Sequence, residues 1–240
     1  MYKDPRKWII AAIIAVIFAV GFPAVYHNRE SESVVYQENL ISLIKQVDPS
    51  VVYVEAVDEY NNRLWSGSGV IISPDGLILT AGHVVDGAAA FRIVLLDGQE
   101  FWTNKSYFSD IVDTGLIQID AENLPFSYLG NSDNLCKGDK VFIIGCPFGF
   151  ELRNTATYGI ISGLERDCAG FFGEKLILQS DAQSWPGNSG GPVYNMQGEI
   201  IGILVGGYWG ADGISLIVPS DICRLVIDVY KTEKELGQAK

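Results

Sequence analysis

Histidine is nearly absent from this chain of 240 residues: there are two, His27 and His83. The four cysteines, Cys136, Cys146, Cys168 and Cys223, fall in no C-x-x-C spacing, so no metal site of the Cys/His kind is expected. Positive charge is also short. Against 29 Asp and Glu there are 17 Lys and Arg, a net of -12, and residues 33–240 alone carry 13 basic and 26 acidic side chains, a net of -13. Such a surface repels phosphate backbones and anionic headgroups, which removes nucleic acid and docking on anionic lipid from the expected partners. No internal repeat or low-complexity tract is present. In an oxidising compartment four cysteines allow three full pairings, and sequence does not choose among them.

What the chain does hold is one serine set among glycines, in Trp185-Pro186-Gly187-Asn188-Ser189-Gly190-Gly191-Pro192. Glycine lets backbone amides approach a substrate closely, so Gly187-Asn188-Ser189 is expected to form an oxyanion hole, chiefly through the amides of Gly187 and Ser189. A tight turn between strands would use the same residues. A serine nucleophile needs a general base, and the base needs a carboxylate to hold its tautomer. His27 borders an apolar N-terminal run, which leaves His83, at the end of the apolar stretch Leu77 to Thr80, as the base of a folded domain. The carboxylate is Asp113, ahead of Gly115-Leu116-Ile117, with Asp110 as a local rival. The G-x-S-x-G elbow of an α/β-hydrolase is excluded by chain order, because no histidine follows Ser189. Cys146 is a weaker nucleophile candidate, lacking flanking oxyanion donors.

Apolar or alternating runs at 51–57, 66–72, 77–80, 91–96, 100–106 and 115–119 predict six strands, and runs at 140–144, 155–161, 175–180, 192–195, 199–205 and 214–218 predict six more. Turn signals such as Pro74-Asp75-Gly76 separate them. Six and six predict an all-β domain of two six-stranded antiparallel barrels, at about 48–121 and 136–220, joined through 120–139, with the site in the cleft between them. Segment 33–47 reads as a helix packed on the first barrel and stopped by Asp48-Pro49. Residues 219–236 read as a C-terminal helix, capped by Ser220 or Asp221 and burying Ile222, Leu225, Val226 and Val229.

Residues 8–26 contain no charged side chain, and a helix of that length nearly spans a hydrocarbon core of ~30 Å. Lys3, Arg6 and Lys7 precede it while Glu30 and Glu32 follow it, which places the N-terminus in the cytoplasm and residues 27–240 outside. Residues 1–32 are thus read as stub, anchor and linker, and 33–240 as the folded domain. A signal peptide cleaved near Ala19-Val20-Gly21 is the competing reading.

The segments Gly67 to Val85, Asp113 to Ile117, Gly145-Cys146-Pro147-Phe148-Gly149, Gly159 to Ser162, Gln179 to Ala182, Gly187 to Pro192, Gly198 to Ile203 and Val218-Pro219-Ser220 together resemble the HtrA/Deg family of trypsin-like serine proteases. The resemblance covers roughly residues 39 to 222. It implies that His83, Asp113 and Ser189 are base, orienting acid and nucleophile, and that neither metal nor organic cofactor takes part. It further implies that Val205, Gly206 and Gly207 pair with an extended substrate backbone. Unfolded or flexible polypeptides are the expected substrates, and a homotrimer through Val34 to Leu43 the expected assembly. Some relatives rest with a collapsed oxyanion loop, so an inactive or conditionally active form acting as a chaperone-like scaffold is the alternative. The chain stops about 20 residues after Pro219, so the PDZ module of many relatives is not expected.

Three departures stand out. Gly115 takes a slot usually held by alanine, Cys146 one often held by asparagine, and Ser184-Trp185 alters the approach to the nucleophile. The pocket for the residue before the scissile bond is expected from Ala182 to Trp185 and Val205 to Tyr208. No basic side chain lies there and Asp181 is the nearest acid, which predicts Val, Ile, Leu or Ala at the cut.

Overall fold

A computed structural model describes residues 39–109, 111–167, 177–208 and 212–237. The apolar run 8–26, the rival carboxylate Asp110 and Cys168 lie outside the described residues. Among the described residues no helix is long and apolar enough to cross a membrane. The chain divides into two compact units, Met1–Ser42 and Leu43–Lys240, and every strand among the described residues belongs to the second.

The first half is built from β1 (Val51–Val57), β2 (Arg63–Ile71), β3 (Leu77–Thr80), β4 (Ala90–Val94), β5 (Glu100–Thr103), β6 (Ser106–Phe108) and β7 (Gly115–Gln118). They form one antiparallel sheet in the order β5-β4-β1-β2-β3-β7-β6. Seven strands therefore replace the expected closed barrel of six. The expected strand at 100–106 breaks because Thr103 Oγ1 donates to Gln118 O at 2.7 Å and accepts the Lys105 amide at 3.1 Å, which turns the chain. β5 and β6 end opposite sides of the sheet, yet only Asn104 and Lys105 separate them. Thr103 and Ser106 are three Cα steps apart, a reach of about 11 Å at most, so the two ends lie close together and the sheet is curled like an unclosed barrel.

The second half matches the expectation of six strands. β8 (Lys140–Gly145), β9 (Thr155–Arg166), β10 (Ile177–Ser180), β11 (Pro192–Asn195), β12 (Ile200–Gly207) and β13 (Ser215–Pro219) close in the order β10-β13-β12-β11-β8-β9. Alternate residues point inward, and Val141, Ile143, Ile161, Leu178, Val193, Ile201, Leu204 and Ile217 fill the barrel. The two halves are stapled by hydroxyls. Ser50, just before β1, meets Ser127 of the connector at 2.7 Å, and Ser127 meets Tyr194 of β11 at 3.0 Å. Burial pushes the Tyr194 phenol up to about 12, so it stays a neutral hydrogen-bonding group.

Both helices differ in detail from expectation. The helix running through 39–47, α1, buries Leu43 and Val47, and these lie against Gly198 in the second half rather than packing on the first alone. The C-terminal helix (Ser220–Glu235) has no side-chain cap. Ser220 instead donates to Gly130 O at 2.9 Å, while Asp221 accepts the Ser132 amide and hydroxyl at 2.6 Å each, so both side chains tie the connector down. Its buried face is Cys223, Val226, Ile227 and Tyr230. Leu225 at 61% and Val229 at 48% exposure, both expected inside, point to solvent.

Candidate active site

β3 ends at Thr80, and a single helical turn, α2 (Gly82–Val85), follows it; the C-terminal helix is accordingly α3. The turn lifts His83 off the sheet end. Next to β3 in the sheet, β7 pairs Thr80 with Gly115, which brings Asp113 beside the turn. Asp113 Oδ1 accepts the His83 backbone N–H at 2.8 Å, and Asp113 Oδ2 lies 2.7 Å from His83 Nδ1. The carboxylate therefore holds both the backbone and the ring of one residue. An acceptor at Nδ1 fixes the proton there and leaves Nε2 as the lone-pair nitrogen. Alanine, which usually holds the Gly115 slot, does not fit here: a Cβ would stand 2.6 Å from Val85 Cγ2 and 2.9 Å from Ala81 O. Glycine lets β7 press against α2.

Ser189 arrives from the other half, in the loop between β10 and β11. The Ser68 amide donates to Ser189 O at 2.7 Å. A Cβ on Gly67 would meet both Val84 Cγ2, at 2.7 Å, and Ser189 O, at 2.9 Å, so the residue after His83 and the candidate nucleophile close on the same glycine. Sequence reading overlooked Ser68, which carries no signal beyond a small residue between glycines. It is fully buried, donates from Oγ to Gly187 O at 2.8 Å, and accepts the Cys146 amide at 2.8 Å. Thus β2 of the first half grips the serine loop of the second at two carbonyls.

Within that loop Gly187 adopts φ +97°, a backbone state that other residues resist. The Asn188 amide donates to Trp185 O at 3.0 Å, so Asn188 is corrected out of the expected oxyanion donors. Its side chain is buried, with Oδ1 unpartnered among the described residues. The Gly190 amide is committed to Leu204 O and the Gly191 amide to Asn188 O. Those of Gly187 and Ser189 find no acceptor among the described residues. His83 Nδ1 is engaged by Asp113, and Ser189 Oγ has no hydrogen bond to His83 in this state.

The Cys146 rival is excluded by placement. Its thiol is buried, 3.9 Å from Val52 O, and burial pushes it above the ordinary thiol range. Of the expected substrate edge, the Val205 side chain is buried, so only its backbone could serve. A register shift between Leu204 and Gly206 lifts Val205 out of the β12–β13 ladder, while Gly206 and Gly207 pair with Leu216 and Ser215. Asp181 turns away from this edge, accepting the Ile160 amide at 2.7 Å. Tyr208 is exposed, and Trp185 faces Phe148 with ring centroids 6.5 Å apart.

A trypsin-like peptidase domain matches residues 67–203. The chain belongs to the HtrA/Deg family of trypsin-like proteases. It is 40% identical over 165 residues to the "Probable periplasmic serine endoprotease DegP-like" of Chlamydia trachomatis, covering 68% of this chain and 33% of that one. Its identity to the protein of the same name from Marinomonas sp. is 37% over 190 residues, covering 77% of this chain and 39% of that one. The chain thus spans little more than a third of the curated relatives it matches. Among solved structures, "HtrA-type protease AlgW with tripeptide" superposes with TM-score 0.72 at 32% identity, over 82% of this chain and 64% of that one. The serine endoprotease from Yersinia pestis superposes with TM-score 0.66 at 29% identity, over 78% and 64%. The HtrA/Deg assignment thus rests on sequence and fold together.

Proposed function

We propose that residues 33–240 form a serine endopeptidase that cuts unfolded or flexible polypeptides through an acyl-enzyme. The observation that carries this is the pair of hydrogen bonds that Asp113 accepts from His83, beside a serine loop with two uncommitted amides. In this reading His83 Nε2 takes the Ser189 proton as Oγ attacks the scissile carbonyl. Asp113 stabilises the imidazolium, and the Gly187 and Ser189 amides receive the oxyanion. His83 then protonates the leaving amine, and water repeats the sequence to release the acid. The backbone of Val205 to Gly207 offers an edge to an extended chain, which folded proteins rarely present.

The run 8–26 would tether this domain outside the cytoplasm, in keeping with the periplasmic description of the relatives. Assembly as a trimer through Val34 to Leu43 would appear in light scattering as three times the protomer mass, and a monomer at micromolar concentration would remove it. The catalytic reading is tested by labelling with a fluorophosphonate probe. Covalent capture at Ser189, abolished in Ser189→Ala, is expected; no capture of the folded wild-type chain would contradict it.

A further inference from the structure

β2 carries Trp65 three residues ahead of Ser68, the serine that grips the loop of Ser189. The ladder slips just before it: Val57 pairs with Arg63 and Ala56 with Trp65, which leaves Leu64 as an extra residue on β2. A bulge of this kind re-aims a side chain. From Trp65 onward the alternation is regular, so Trp65 and Gly67 project to the same face. Both meet Val84, the residue after His83. The Val84 side chain lies on Gly67, where a Cβ would stand 2.7 Å from Val84 Cγ2, and Trp65 Nε1 donates to Val84 O at 3.0 Å. A Cβ on Gly87 would come 3.7 Å from Trp65 Cη2, so the indole also covers the turn that leaves α2.

We infer that Trp65 is a positioning residue for the base, holding His83 in place through the carbonyl of Val84. This rests on the protease reading. α2 has four residues, and a single turn makes too few internal bonds to keep its own place. The last carbonyls of a helix find no partner within it, and the indole N–H supplies one for Val84. Asp113, at the entry to β7, holds the His83 amide and ring. Trp65, on β2, holds the carbonyl of the next residue. Anchors from two different strands stop the turn from pivoting about either one. The same stretch of β2 holds the nucleophile, since the Ser68 amide donates to Ser189 O at 2.7 Å. One strand, paired along its length with β1, thus joins the mount of the base to the mount of the serine.

Trp65→Phe tests it, because phenylalanine keeps an aromatic ring and removes the N–H. Steady-state cleavage of a labelled unfolded protein by the full-length chain is the measurement. The rate is referred to the sites that a fluorophosphonate captures at completion, so unfolded chains do not count. Trp65→Phe is expected to lower kcat about five- to tenfold with KM little changed, as the loss of one neutral hydrogen bond behind a catalytic base gives. Ser66, next along β2, accepts a hydrogen bond from Arg63 at 2.9 Å, and Ser66→Ala is expected to keep the wild-type kcat. An unchanged kcat in Trp65→Phe, a rise in KM in place of the fall in kcat, or an equal loss in Ser66→Ala would overturn the Trp65 assignment alone. Absence of any Ser189-dependent cleavage by the folded wild-type chain would overturn the protease reading and this assignment with it.

Discussion

At the residue scale, His83 depends on Asp113 twice, through its ring and through its backbone N–H. Asp113→Asn keeps the shape but replaces an acceptor-only group with one that can present N–H to Nδ1, favouring the wrong tautomer. In the analogous triad an Asp-to-Asn change lowers kcat about 10⁴-fold, and a loss of that order with KM little changed is expected from steady-state kinetics here. A loss below tenfold would mean that another carboxylate orients the ring. The pairing of these two residues was legible in the sequence because it depends on residue type, and the chain offers so few histidines. Ser68 was not legible. A buried serine inside a strand has no periodicity or motif of its own, and its use appears only when β2 meets the Gly187 and Ser189 carbonyls across about 120 residues of chain. Asn188 failed for the opposite reason: it sits in the right motif, yet the turn claims its amide.

At the scale of elements, strands with clear flanking turns were readable, and all six of the second barrel appear near their expected positions. The break between β5 and β6 was not, since it follows from a Thr103 hydroxyl bonded to β7, a tertiary contact. The face of α3 was misread because apolar residues at 222, 225, 226 and 229 and at 223, 226, 227 and 230 both fit a helical period; only packing decides. The start of α3 depends on Asp221. Burial acts to raise its carboxyl, but the Ser132 hydroxyl and amide, Arg224 and the Asp133 amide outweigh it and hold it below the ordinary carboxylate range. A depressed folded value stabilises the fold above the unfolded carboxylate pKa and loses that contribution as pH falls through the folded one. Asp221→Asn should therefore lower Tm at pH 7, and the gap to wild type should close as pH drops below about 4. Thermal melts across that range check it, and a gap constant with pH would assign the loss to packing instead.

At the scale of the whole molecule, each half is incomplete as a site. The first supplies His83, Asp113 and the Ser68 grip, and the second supplies Ser189 and the backbone of Val205 to Gly207, so the proposed chemistry requires both. The most direct measurement of the account is cleavage of an unfolded protein by the purified chain and by Ser189→Ala, with the fold of both checked by circular dichroism. The wild type should cut, and Ser189→Ala should cut about four to six orders of magnitude more slowly, at the residual rate an oxyanion hole and binding alone sustain. Equal rates of cleavage by the two folded proteins would contradict it.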